Sequence, residues 1–183
     1  MKKIFLLLFL PFASFGQDCN LIILKDNFTK EEIKSGGIQA IYTLGLLNAQ
    51  YINIALAKKG ENFIIAYQRK LLNDNKDDKQ FDISDDSKLL IRFADETVIE
   101  AKYNGKTQIA NITWDRTFGT WAFNYEVEFT LQKTEFDKIP NSEALAIRVD
   151  NGIFPQDFEI KEKFKQTKPR LYFSNIANCL RLK

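Results

Sequence analysis

Histidine is absent from this chain, and cysteine occurs only twice, at Cys19 and Cys179. Without histidine, Ser-His-Asp and Cys-His hydrolases are excluded, as is His-ligated zinc, and the commonest general base goes with them. Long apolar runs are missing too, apart from one near the N-terminus. Neither sign of charge dominates. Only eight glycines and four prolines punctuate the chain, and no internal repeat or low-complexity segment appears. An enzyme of this composition would have to work with carboxylates, Lys or Tyr, as glycosidases work with paired acids.

The one apolar run spans Ile4 to Phe12, behind Lys2 and Lys3, and is followed by Ser14 and Gly16. A short basic region, a short apolar region and small residues at −3 and −1 predict a secretory signal peptide, residues 1–16, cut between Gly16 and Gln17. The run is too short for a ~30 Å hydrocarbon core, which needs about 20 helical residues, so no integral membrane protein is expected. Asp18 precedes Cys19 and Gly16 stands at −3, which does not suit a lipidated cysteine. An even cysteine count in an exported chain points to a disulfide joining Cys19 to Cys179 across nearly the whole sequence. Two buried free thiols are the alternative. The expected location is periplasmic or secreted.

The chain carries 26 Lys plus Arg against 24 Asp plus Glu. Lys2 and Lys3 belong to the leader, so 26 less two leaves 24 cations against 24 anions from residue 17 onward. That balance argues against a nucleic-acid partner, which would need a strong positive field. Residues 17–183 suit a single domain with one core.

Alternation of apolar and polar residues is the strongest pattern present. In "WAFNYEVEFTLQ" (121–132), Trp121, Phe123, Tyr125, Val127, Phe129 and Leu131 fall on one face, which predicts a long half-buried strand. "YINIALAKKGENFIIAYQRKL" predicts strands at 51–57 and 63–71 around a turn at 58–62. "KLLIRFADETVIEAKY" predicts two more around a turn at 94–96. Asn104-Gly105 predicts a hairpin turn into "QIANITW", and Asn151-Gly152 joins "ALAIRV" to "IFPQDFEI", where Pro155 puts the last strand on an edge. "TKEE" at 29–32 fits a helix capping box that Gly36-Gly37 soon interrupts, and "IQAIYTL" suits a strand. After Pro169, Leu171, Tyr172, Asn175, Ile176, Cys179 and Leu180 recur at helical spacing, which predicts a helix over about 169–180 with Cys179 facing the body. The expected fold is mainly β: an antiparallel β-sandwich, or open barrel, with one C-terminal helix.

Chemistry-bearing motifs are few. "NGKT" at 104–107 lacks the glycine a phosphate loop needs at position 100, where Glu100 stands, and it sits between strands. "NDNKDDKQFDISDD" (73–86) misses the glycine and glutamate of a calcium loop and reads as a solvated connection, with Asp77 and Asp78 as its best acids for an ion. "KEKFKQTKPR" (161–170) is basic but lacks an aromatic row for stacking. Glu126 and Glu128 share the polar face of a strand, with nothing to mark a cleft. "WDRTF" (114–118) is the best contact loop: Trp114, Asp115, Arg116 and Phe118 at a strand end, where sandwich proteins carry recognition.

The order of "KDNFTKEE", "YINIALAKKGENFIIAY", "FDISDDSKLLIRFADETVIEAK" and the closing "EALAIRVDNGIFPQDFEIKEKF…NCL" resembles a loose group of uncharacterised exported proteins from Gram-negative bacteria. The resemblance spans most of residues 19–182. It implies export, a β-rich domain and a C-terminal helix, and it brings no activity, cofactor or catalytic residue. This chain departs from the group at Pro169, which would break the final helix in two. Together these readings predict an exported non-catalytic β-protein acting through protein or cell-envelope contacts. A small-ligand or glycan-binding module using Trp114 and Phe118 is the alternative, and a carboxylate hydrolase of envelope polymer comes third.

Overall fold

A computed structural model describes residues 19–25, 31–44, 50–74, 83–117, 119–152, 155–162 and 168–182, with backbone alone for 44 and 106–111. The leader 1–16, Asp77, Asp78 and Phe118 lie outside the described residues. Ten strands follow in chain order: β1 (Ile22–Lys25), β2 (Glu32–Ser35), β3 (Gln39–Leu44), β4 (Gln50–Lys59), β5 (Asn62–Asn73), β6 (Lys88–Phe93), β7 (Val98–Asp115), β8 (Thr120–Leu131), β9 (Ala144–Asp150) and β10 (Gln156–Glu159). A short helix α1 (Lys133–Asp137) separates β8 from β9, and α2 (Tyr172–Leu182) closes the chain.

The strands form one antiparallel sheet in the order β1-β2-β4-β5-β8-β7-β6-β9-β10, with β3 paired to the other half of β4 beside β2. The fold is therefore mainly antiparallel β with a C-terminal helix, as expected, and its sheet is not closed by backbone pairing among the described residues. Side chains span the seam instead. Tyr42 of β3 meets Phe158 of β10 edge-on, centroids 5.3 Å apart. Arg69 of β5 reaches across the interior to Gln156 of β10, donates to Gln50 of β4 at 3.1 Å, and stacks its guanidinium over Phe158 at 5.4 Å.

Period-2 alternation builds the core as anticipated: Val127, Phe129 and Leu131 of β8, Ile65 and Tyr67 of β5, and Ile52, Ile54 and Leu56 of β4 all point inward and are buried. Two local readings need correction. Asn104-Gly105 makes no hairpin, because β7 continues through it as an 18-residue strand pairing β8 on both sides. The positive φ of Gly105 (78°) instead serves a register shift between Tyr103 and Thr107, a bulge that uses the same backbone freedom a turn would. At 29–32 the capping-box reading also fails where the chain is described, since Glu32 opens the strand β2. Its pairing with both β1 and β4 outweighs a local helix signal.

Pro169 opens a single helical run: a 3-10 turn, Pro169–Leu171, passes directly into α2. Proline fits there because the first turn leaves its N–H positions without intrahelical partners anyway. The helix buries Tyr172, Phe173, Ala177, Cys179 and Leu180 against the sheet. Gly36 passes so close beneath it that a Cβ there would overlap the Ile176 side chain. Arg181 donates to the carbonyls of Phe136, Asp137 and Ile139 at the end of α1, placing a cation where carbonyl dipoles converge. Cys19 and Cys179 are joined in a disulfide, as the sequence suggested, fixing the start of β1 to α2.

Tyr172 links the helix to two strand segments through one buried hydroxyl. It accepts from the Leu56 amide at 2.9 Å and donates to the Gly37 carbonyl at 2.7 Å. Burial pushes its pKa up to about 12. In the unfolded chain the phenol ionises near 10, so at high pH the unfolded state releases its proton first. Stability is then fully present below pH 10 and is lost as pH rises from 10 through about 12. We expect Tyr172→Phe to cost about 1–3 kcal/mol at neutral pH, from the orphaned amide and carbonyl. The variant should also show a smaller further loss between pH 10 and 12, read as thermal midpoints across that range. An alkaline loss equal to wild type would show that Tyr172 does not govern it.

Candidate functional site

The central strands β4, β5 and β8 lie side by side, and their register decides which outward residues become neighbours. Tyr51 pairs with Lys70, and Lys70 with Asn124; one row further, Asn53 pairs with Gln68, and Gln68 with Glu126. Alternation sends all six side chains to the face opposite the core. The result is an open polar hollow of about 460 Å³, lined by these six residues and by Arg69 and Tyr125. That volume falls within the ~300–1,000 Å³ of small-ligand sites. At one end the hollow meets a row of small residues, Ala55 against Ala66. At the other, Tyr51 packs against the buried pair Leu72 and Ala122, which gives the hollow its apolar wall.

Charge in the hollow is unevenly balanced. Lys70 Nζ donates to Asp115 Oδ2 at 2.8 Å, so its positive charge is already neutralised by a carboxylate from the end of β7. Glu128, the next outward acid along β8, accepts from Asn104 at 3.1 Å. No hydrogen bond or ion pair among the described residues engages the side chains of Asn53, Gln68 or Glu126. Glu126 therefore faces the hollow as an acid without an ion-pair partner among the described residues.

The contact loop read from the sequence is split by the strand it ends. Asp115 turns to the hollow side through Lys70, and its other oxygen accepts from the Thr117 amide at 3.0 Å, which organises the turn. Trp114 points the opposite way, edge-on to Trp121 at 5.2 Å, and remains 50 % exposed. Arg116 is exposed in the turn. Trp114 and Asp115 thus do not share a surface, because adjacent strand residues face opposite sides. Two cations of the basic stretch are engaged internally: Lys161 lies over the Tyr42 ring at 5.5 Å, and Arg170 donates to the Ile160 carbonyl at 3.0 Å. Among the described residues, no three of His, Cys, Asp and Glu gather as metal ligands.

Sequence reasoning missed Tyr51, Asn53, Gln68 and Asn124. Each reads singly as an ordinary polar position of an amphipathic strand. The available signal was the concentration of amides and a tyrosine at outward positions of three strands, in place of the usual Lys, Glu and Thr. Compared with family models, curated proteins and solved structures, the chain finds no match in any of the three.

Proposed function

We propose that this is an exported, non-catalytic β-protein, periplasmic or secreted, that binds a component of the cell envelope in the hollow between β4, β5 and β8. The observation that carries the reading is the hollow itself: two register rows of polar side chains beside one apolar wall, in which the amides of Asn53 and Gln68 have no side-chain partner among the described residues. Concave sites with a few convergent polar groups are where small ligands are held. The disulfide suits an oxidising compartment, and no helix of the described residues is long and apolar enough to cross a membrane.

A second reading, contact with a protein, is favoured by β1. This edge strand exposes Ile22, Ile23 and Leu24 and, among the described residues, pairs on one side only, with β2. One experiment addresses both. The purified protein is sedimented with isolated peptidoglycan, with lipopolysaccharide and with envelope vesicles, alongside an Asn53→Ala, Gln68→Ala double variant and an Ile23→Lys variant. Capture by one fraction that the double variant loses is the expected result. Capture lost only in Ile23→Lys would transfer the function to β1, and no capture by any fraction would end the envelope reading.

A further inference from the structure

We infer that the hollow recognises an amino sugar, with hydroxyls held by the amides of Asn53, Gln68 and Asn124 and an ammonium group held by Glu126. This deepens the binding reading above and rests on it.

Three features choose the ligand chemistry. Amide side chains each present a donor pair and an acceptor, which matches hydroxyl groups that donate and accept at once. Three of them border one hollow, two on adjacent strands in direct register (Asn53 and Gln68), so neighbouring hydroxyls can be met together. Tyr51, held against Leu72 and Ala122, offers an apolar flank for the C–H face of a sugar ring.

The charge then selects among sugars. Two described cations border the hollow: Asp115 neutralises Lys70 at 2.8 Å, and Arg69 turns its guanidinium to the core side, onto Gln50, Gln156 and the Phe158 ring. On the outward face of the hollow Glu126 is the described carboxylate without an ion pair, so an acidic sugar such as a uronate meets a like charge at close range. An ammonium meets an acceptor with no competing partner and gains a charge-assisted hydrogen bond. A divalent cation suits the site less well, because it draws on several carboxylates and Glu126 stands alone among described acids here.

The test is calorimetric titration of the full chain at pH 6 and low salt. The probes are glucosamine oligomers, their N-acetylated counterparts, galacturonate oligomers and trilysine. The expected order is glucosamine tightest, N-acetylated weaker by about tenfold, and galacturonate without measurable binding. Glu126→Gln should cost the glucosamine oligomer about tenfold and leave the N-acetylated oligomer unchanged. The substitution is isosteric and on a half-exposed position, so the fold is kept; matching thermal midpoints verify this. Equal binding of the glucosamine and N-acetylated oligomers, unaltered by Glu126→Gln, overturns the ammonium assignment while leaving the hollow as a sugar site. Trilysine binding as tightly as glucosamine overturns the sugar assignment. If none of the four probes binds, the inference falls; if an envelope fraction is still captured through Asn53 and Gln68, the binding reading stands without it.

Discussion

Replacing Cys19 and Cys179 together with alanine lowers the free energy of unfolding by an expected 3–5 kcal/mol or so. The bridge joins residues 160 positions apart, so in the chain-entropy picture it removes about 5 kcal/mol of freedom from the unfolded ensemble. Little of that gain should be lost to distortion, because the two Cα atoms sit 5.5 Å apart, within the usual range for a disulfide. Cys179 is buried, so alanine is preferred to serine, which would bring in a hydroxyl with nothing to bond. Urea unfolding followed by fluorescence and by circular dichroism gives the measurement. The double variant and the reduced wild type should share one midpoint, well below that of the oxidised protein. Their m-values should also rise, since an unbridged unfolded chain exposes more surface. A midpoint unchanged by reduction would mean that the ends are held by packing alone.

The second large effect belongs to Phe173. Its side chain is fully buried and meets Phe93 of β6 at 6.4 Å and Tyr172 at 5.5 Å, both edge-on. It is the residue through which α2 enters the core. Phe173→Ala should cost about 3–5 kcal/mol, combining lost transfer energy with a cavity the rigid sheet cannot collapse. Phe173→Leu, which keeps most of the volume, should cost clearly less. In the chain-entropy picture the disulfide acts on the unfolded state, whereas Phe173 acts on native packing. Combining Phe173→Ala with the cysteine substitutions should therefore give additive losses, within about 0.5 kcal/mol. A strongly sub-additive result would place the bridge's contribution in the docked helix instead.

Much of this architecture could be read from the residues. Strict alternation located β5 and β8 to within two residues, because a face that must be buried leaves little freedom in period. The turn at 94–96 and the edge position of β10 after Pro155 followed from local backbone chemistry. The disulfide followed from the cysteine count together with the expectation of export. What failed were cues with two outcomes. Asn104-Gly105 supplies positive φ for a hairpin or for a bulge, and only the partner strand β8, which extends past both halves of β7, decides between them. The helix α1 was invisible, since five residues carry too short a period to register.

The hollow was legible only in fragments. Lys70 and Asp115 are 45 residues apart, and Asn53 and Glu126 meet through Gln68 on a third strand. Nothing in a linear pattern ranks Asn53 above Glu61 or Gln132. The loop centred on Trp114 drew notice because an aromatic between charges stands out along the chain. In space, the strand's own alternation divides it, and Asp115 reaches the hollow only through its bond to Lys70.

The bridge between Cys19 and Cys179 also determines how the molecule bears load. Tension pulled through the segments outside the two cysteines, before residue 19 and after residue 179, runs through one covalent bond instead of through the strands. The ten-stranded sheet lies off the line of force. Strand pairs that would otherwise unzip one at a time feel none of it while that bond holds, and reduction would return the whole load to them.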